Sequence, residues 1–189
     1  MKVDKVIKEK AKLYKENNFS DALQYHIDND LGLEDSIFRL DSKAYSDLAK
    51  EVKDNKPYWS ESNKILSGKS AWMAENLDIG KSALFKNRST KKFEAVKLDS
   101  PKRGGRRKFY VYRDSGKKND EGKIIAHKIE WGDPNLSIKN GDTGRAKSFW
   151  ARHQCDSAQK MNPKSRGFWA CYGPSLFAKQ LGISSSKPW

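Results

Sequence analysis

From Ser20 to Leu77 the apolar positions recur at helical spacing. Ser20 is placed to cap a short helix in which Leu23, His26 and Ile27 share one face at i, i+3 and i+4, with His26 at the boundary of that face. Ser42 caps a stronger pattern, Tyr45, Leu48, Ala49 and Val52, which Pro57 brings to an end. Trp72, Met73 and Leu77 mark another short segment before a turn at Gly80, and a Met-aromatic stripe of this kind is core material. Upstream, Lys2 to Glu16 is rich in Lys and Glu, with Val3, Val6, Ile7, Ala11 and Tyr14 as its periodic apolar positions, the pattern of a solvated, weakly amphipathic helix.

Further along, the period changes from helical to two. KFYVYRD sets Phe109 and Val111 opposite Tyr110 and Tyr112, a strand signature. The polar run SGKKNDEGK turns the chain into KIIAHKIEW, a second strand with Ile125, His127, Ile129 and Trp131 on one face, so the hairpin loop is longer than the common tight turns. Gly132-Asp133-Pro134-Asn135 has turn chemistry. Asp142 is placed to cap a helix whose inner face is Ala146, Phe149, Trp150 and His153. RGFWACY, Arg166 to Tyr172, reads as a third strand, with Trp169 and Cys171 opposite Phe168 and Ala170. The remainder, Gly173 to Trp189, is turn-rich, either docking through Trp189 or disordered. The expected fold is α+β: a helical docking module over 1–90, then a small basic domain over 91–172 with a three-stranded antiparallel sheet and one helix, then a tail over 173–189.

Charge sharpens this division. The chain has 189 residues with 38 Lys+Arg against 24 Asp+Glu, net +14. Residues 1–90 hold 16 and 15 of these, residues 91–189 the other 22 and 9, so the second half carries +13. Such asymmetry points to a polyanion or an acidic protein surface as partner of the second half. With 6 Trp, 7 Tyr and 8 Phe the chain has aromatics enough for one or two small cores. No run reaches the ~18 apolar residues of a membrane helix, and MKVDKVIKEK has no apolar stretch of signal-peptide length. The expectation is a soluble intracellular protein that does not engage membranes.

No phosphate-cradling glycine loop, nucleophile elbow or other catalytic set occurs, so no residue is assigned a catalytic role and the chain reads as non-enzymatic. The two cysteines, Cys155 and Cys171, are the exception to this bland picture. With His153 two residues before Cys155, and His127 on the second strand, they total the four ligands of a tetrahedral zinc site, without the paired spacing of a zinc motif. Three readings stay open: buried free thiols beside a core histidine, zinc held by His127, His153, Cys155 and Cys171, or a disulfide closing a loop of about 17 residues, worth ~3 kcal/mol.

Arg103, Arg106, Arg107, Lys108, Arg145, Lys147, Arg152, Lys164 and Arg166 gather around the Tyr110 and Tyr112 strand. Cations neutralise phosphates and aromatics stack on bases, so these nine residues are candidates for contacting nucleic acid or an acidic partner.

The stretch from KFYVYRD through KIEWGDPNLSIK and KSFWARHQC to GFWACY resembles a small domain of unknown function encoded by tailed bacteriophages, especially T4-like and marine phages. Its pattern of a KKF-x-VYV strand, an FGDP turn, a K-SF-x-ARH-x-C helix end and a YW-x-C strand is matched at Phe109, Val111, Tyr112, Gly132, Asp133, Pro134, Ser148, Phe149, Ala151, Arg152, His153, Cys155, Trp169 and Cys171, across roughly residues 96–172. Upstream, SIFRLDSKAYSDLAKEVK and LDIGK resemble a second phage segment of the IFR-x-GS-x-x-Y type, with Asp41 where that pattern has Gly. The domain has no regular histidine at position 127, which leaves His153, Cys155 and Cys171 as its own ligand candidates, with Asp133 a further donor. The resemblance implies a phage protein made in the host cytoplasm and carried in the virion. As such it would be a head- or neck-associated decoration component contacting capsid, portal or neck subunits and DNA. The alternative is an intracellular nucleic-acid-binding protein or minor nuclease.

Overall fold

The computed structural model describes residues 19–55, 64–66, 68–135, 143–157 and 160–183. The chain divides into two compact units between Leu77 and Asp78. The expected helix over Lys2 to Glu16, the stop at Pro57, the cap at Asp142 and the docking of Trp189 lie outside the described residues.

The first two helices of the first unit start where their serines cap them. In α1 (Asp21–Asp28) the Ser20 hydroxyl accepts the Leu23 N–H, and in α2 (Lys43–Asp54) the Ser42 hydroxyl accepts that of Tyr45. Glu51 of α2 accepts both the N–H and the hydroxyl of Ser20, which fixes the start of α1 against α2. A 3-10 turn (Leu33–Asp35) and α3 (Gly68–Asn76) complete the unit, joined by the Ser70 hydroxyl, which accepts the Leu33 N–H and donates to Glu34. Leu23, Ile27, Leu33, Leu48, Val52, Ile65, Leu66 and Met73 fill the core. His26 is fully buried in it rather than at its boundary, because both ring nitrogens have partners: Nδ1 meets the Ala22 carbonyl at 2.8 Å and Nε2 the Ser36 hydroxyl at 3.0 Å. Tyr45 is buried too, its hydroxyl donating to the Leu33 carbonyl, and that burial pushes its pKa far up.

The second unit is built on five strands: β1 (Ser82–Lys86), β2 (Phe93–Lys97), β3 (Lys102–Arg103), β4 (Phe109–Lys118) and β5 (Ile124–Trp131), in the order β2-β1-β5-β4-β3. All neighbours are antiparallel except β1 and β5, which run parallel. The expected three-stranded antiparallel sheet with one helix is therefore corrected to a five-stranded mixed sheet with several helices, still α+β. Among the described residues three further helical segments follow the sheet: α4 (Thr143–Arg152), α5 (Arg166–Cys171) and α6 (Gly173–Leu176).

Two physical causes set the observed fold apart from the expected one. RGFWACY, expected as a strand, is α5: the Ser165 hydroxyl accepts the Phe168 N–H as an N-cap, and Phe168 and Tyr172 stack at 5.4 Å across one helical turn. The missed strands lacked a readable alternation. β2 is an edge strand whose first three residues are all exposed, and β3 is only two residues long. The β4–β5 hairpin is also tighter than expected. β4 absorbs a bulge between Asp114 and Lys117 and runs on to Lys118, leaving a turn in which Asn119 and Lys123 bond.

Register assigns the two faces of the sheet. Phe109, Val111 and Arg113 stand directly opposite Trp131, Ile129 and His127, and this face receives α5 and α6 through Trp131 and Trp169, whose rings lie 5.6 Å apart. Gly173, where α6 begins, lies against both rings: a Cβ there would be 3.4 Å from each tryptophan. The other face bears Ala83, Phe85, Val96, Ala126, Tyr110 and Tyr112. A parallel bridge from Leu98, just past β2, to Tyr112 in β4 curls the sheet over this face and buries Ala83, Leu98 and Ala126 beneath Phe85, Val96, Tyr112 and Ile124.

Candidate functional site

The division into units places the charge. Residues 1–77 hold 13 Lys+Arg and 14 Asp+Glu, and residues 78–189 hold 25 and 10, so the units carry −1 and +15. Arg103, Arg106, Arg107, Arg145, Lys147, Arg152, Lys164 and Arg166 are exposed and Lys108 half-buried. Three parts of the chain supply them. Arg103 to Lys108 lie in β3 and the β3–β4 loop, Arg145, Lys147 and Arg152 on α4, and Lys164 and Arg166 at the start of α5.

Within the loop the arginines divide their tasks. Arg103 turns to its own chain, donating from Nε to the Leu181 carbonyl at 2.5 Å and from Nη2 to that of Gly182, with its guanidinium 5.4 Å from the Phe109 ring. The tail residues it holds are core rather than disordered, since Phe177, Leu181 and Ile183 are all buried. Arg106 instead docks on Glu130 of β5, which accepts its backbone N–H at 3.2 Å and its Nε at 3.4 Å. Lys128 reaches the same carboxylate at 2.9 Å, and hydrogen bonding from Lys128, helped by Arg106, holds the Glu130 carboxyl below the usual carboxylate range.

Glu130 pairs directly with Tyr110 across the β4–β5 ladder, and Lys102 pairs with Tyr110 from the other side, across β3 and β4. The Lys128 ammonium lies 4.4 Å from the Tyr110 ring centroid, and Tyr110 meets Tyr112 edge-to-face at 5.7 Å. Tyr112 in turn lies 4.9 Å from Phe85, the small Ala126 of β5 standing between their strands. A row of three half-buried rings thus crosses one sheet face, with cations gathered at its Tyr110 end. The sequence had marked Tyr110 and Tyr112 but not Lys128 or Glu130. Their alternation with Ile129 was the available signal, lost because Lys128 and Glu130 share a face with Ala126, which reads as apolar.

A second polar group lies beneath the sheet. Asp99, φ +50°, and Arg113 are 0% and 6% exposed, and the Asp99 carboxylate accepts from both Arg113 Nη1 and the Asp78 N–H. Burial pushes the Asp99 carboxyl up to about 6 against the pull of the Arg113 guanidinium. Among the described residues, Asp99 Oδ1, Arg113 Nε and His127 Nδ1 are buried with no hydrogen-bond partner. His127, opposite Arg113 in register, is held below the usual histidine range by its own desolvation and then by that guanidinium.

Of the three cysteine readings, the structure contains the crosslink: Cys155, beyond the end of α4, and Cys171, in α5, form a disulfide with both residues buried. Among the described residues no three of the expected ligands come together. The sulfurs are bonded to each other, whereas zinc takes thiolates. His153 is exposed, with its ring 4.3 Å from Phe149, and His127 is on β5. Asp133 is spent on the turn, its carboxylate accepting the Asn135 N–H. Around the disulfide the Tyr172 hydroxyl donates to the Cys155 carbonyl, and Trp150, edge-on to Tyr172, donates to Asp156.

No known protein family, curated protein or solved structure matches the chain. Among the described residues no helix is long and apolar enough to cross a membrane.

Proposed function

We propose that the chain is a non-enzymatic component of a bacteriophage virion, at the head or neck, in which the near-neutral first unit docks on neighbouring subunits and the basic second unit meets nucleic acid. The observation that carries this reading is the division of charge, −1 against +15 at the boundary between the two units. A unit so charged is drawn to polyanions and repelled by its own copies, whereas a balanced helical unit suits a protein neighbour. The resemblance of residues 96–172 to a phage-encoded domain supplies the setting. Mass spectrometry of purified particles tests it: the chain is expected among the virion proteins, and its absence from them would overturn the virion role.

A second reading, an intracellular nucleic-acid-binding protein, is favoured by the ring-and-cation row at Tyr110. It predicts binding whose affinity falls steeply with salt, and an affinity unaffected by salt would reject it.

A further inference from the structure

The geometry points to the sheet face around Tyr110 as a site for single-stranded nucleic acid, with bases stacking on Tyr110 and phosphates held by Lys102, Arg106 and Lys128. This rests on the reading of the second unit as a nucleic-acid partner and names the form of nucleic acid and the place it binds.

Three observations converge on Tyr110. First, it is bracketed in register by Lys102 on one side and Glu130 on the other, so the flanking groups are set by the β-ladder and not by chance side-chain reach. Second, Glu130 is only 11% exposed and acts as an anchor: Lys128 and Arg106 both bind it, which stations two cations beside the ring while leaving the cluster with a surplus of positive charge. Third, the backbone is shaped for that anchor. Gly105 has φ +89°, a conformation that L side chains rarely adopt, and it passes so close to Glu130 that a Cβ there would come within 2.5 Å of the carboxylate and make that side chain shift.

The chemistry selects single strands. A duplex hides the faces of its bases within the stack, whereas a single strand presents bases that stack on aromatic rings together with phosphates that recruit cations. A sheet face with a half-buried tyrosine among lysines and an arginine serves both.

The test is fluorescence anisotropy of the full chain with a labelled oligothymidylate, a duplex of equal length and an abasic strand of equal length. The wild-type chain is expected to prefer the oligothymidylate to both. Tyr110→Leu should weaken oligothymidylate binding about tenfold without changing the salt slope, Tyr110→Phe should keep it, and Arg106→Ala should lower the salt slope by about one. Unfolding curves for each variant separate loss of binding from loss of fold, and the abasic strand probes stacking with the protein unaltered. Equal affinity for abasic and thymidylate strands, or for wild type and Tyr110→Leu, overturns this site while leaving a backbone-binding unit intact. Absence of binding to every nucleic acid at ~150 mM salt overturns the underlying reading instead.

Discussion

Replacing Cys155 and Cys171 together by alanine should cost the second unit about 3 kcal/mol of stability. The crosslinked residues are 16 apart, and for a loop of that length the chain-entropy relation gives ~3 kcal/mol at room temperature. Two features of the structure bear on how much of this is realised. Both cysteines are buried, so alanine leaves small voids that add to the loss. Against that, the Tyr172 bond to the Cys155 carbonyl and the Trp150–Tyr172 edge contact still tie the end of α4 to α5, so the connection is weakened and not abolished. Urea unfolding followed by tryptophan fluorescence measures the effect, since Trp131, Trp150 and Trp169 all belong to this unit. The same experiment on wild type with and without reductant should give a somewhat smaller difference, since the reduced thiols leave no voids, and thiol titration of the unreduced, unfolded chain should find no free thiol. A double variant within about 1 kcal/mol of the oxidised wild type, at unchanged m-value, would refute the loop-closure reasoning.

Arg113→Met strands the buried Asp99 carboxylate with the Asp78 N–H as its remaining donor and should cost about 3–5 kcal/mol at pH 8. That deficit should shrink towards pH 5, because the Asp99 carboxyl, already raised by burial, then takes up a proton in the folded state; denaturant titrations at the two pH values check it. His127 is held below its unfolded value, so the native state binds fewer protons just below pH ~6.5 and stability is lost as pH falls through that window. His127→Gln should flatten this part of the Tm-versus-pH curve, and an unchanged slope would refute the assignment. Gly105→Ala forces a side chain into positive φ and against Glu130; a loss of about 1–2 kcal/mol is expected by thermal unfolding, together with weakened nucleic-acid binding.

Helices α1 and α2 were legible because their signals are local. A serine three residues before a backbone N–H either caps or does not, and Ser20 and Ser42 do. The β4–β5 hairpin was legible for the same reason, as alternation within one segment. What escaped depends on partners distant in sequence. β1 is a strand because Leu84 and Phe85 meet Ile125 and Ala126, and no feature of SALFK announces that pairing. α5 was misread because both periods fit a short aromatic run, and its N-cap, Ser165, decided the matter. At the candidate site the sequence marked the loop arginines and the tyrosines, but the role of Glu130 as the anchor that seats Arg106 and Lys128 appears only when three strands are aligned. Arg103 shows the converse, a cation marked for a partner that is bound to the tail of its own chain.

The parallel pairing of β1 with β5 also dictates a schedule for synthesis. The β1–β2 hairpin leaves the ribosome early, yet its inner neighbour is the last strand of the sheet to be made. A lone two-stranded hairpin is marginal in water, so it waits with Leu84 and Phe85 unshielded until Ile125 and Ala126 emerge. The segment most exposed to misassociation during biogenesis is thus the first hairpin rather than the cationic loop. Lys81, Lys86, Arg88, Lys91 and Lys92 stand around it in sequence, a run of like charges that discourages nascent chains from pairing with one another.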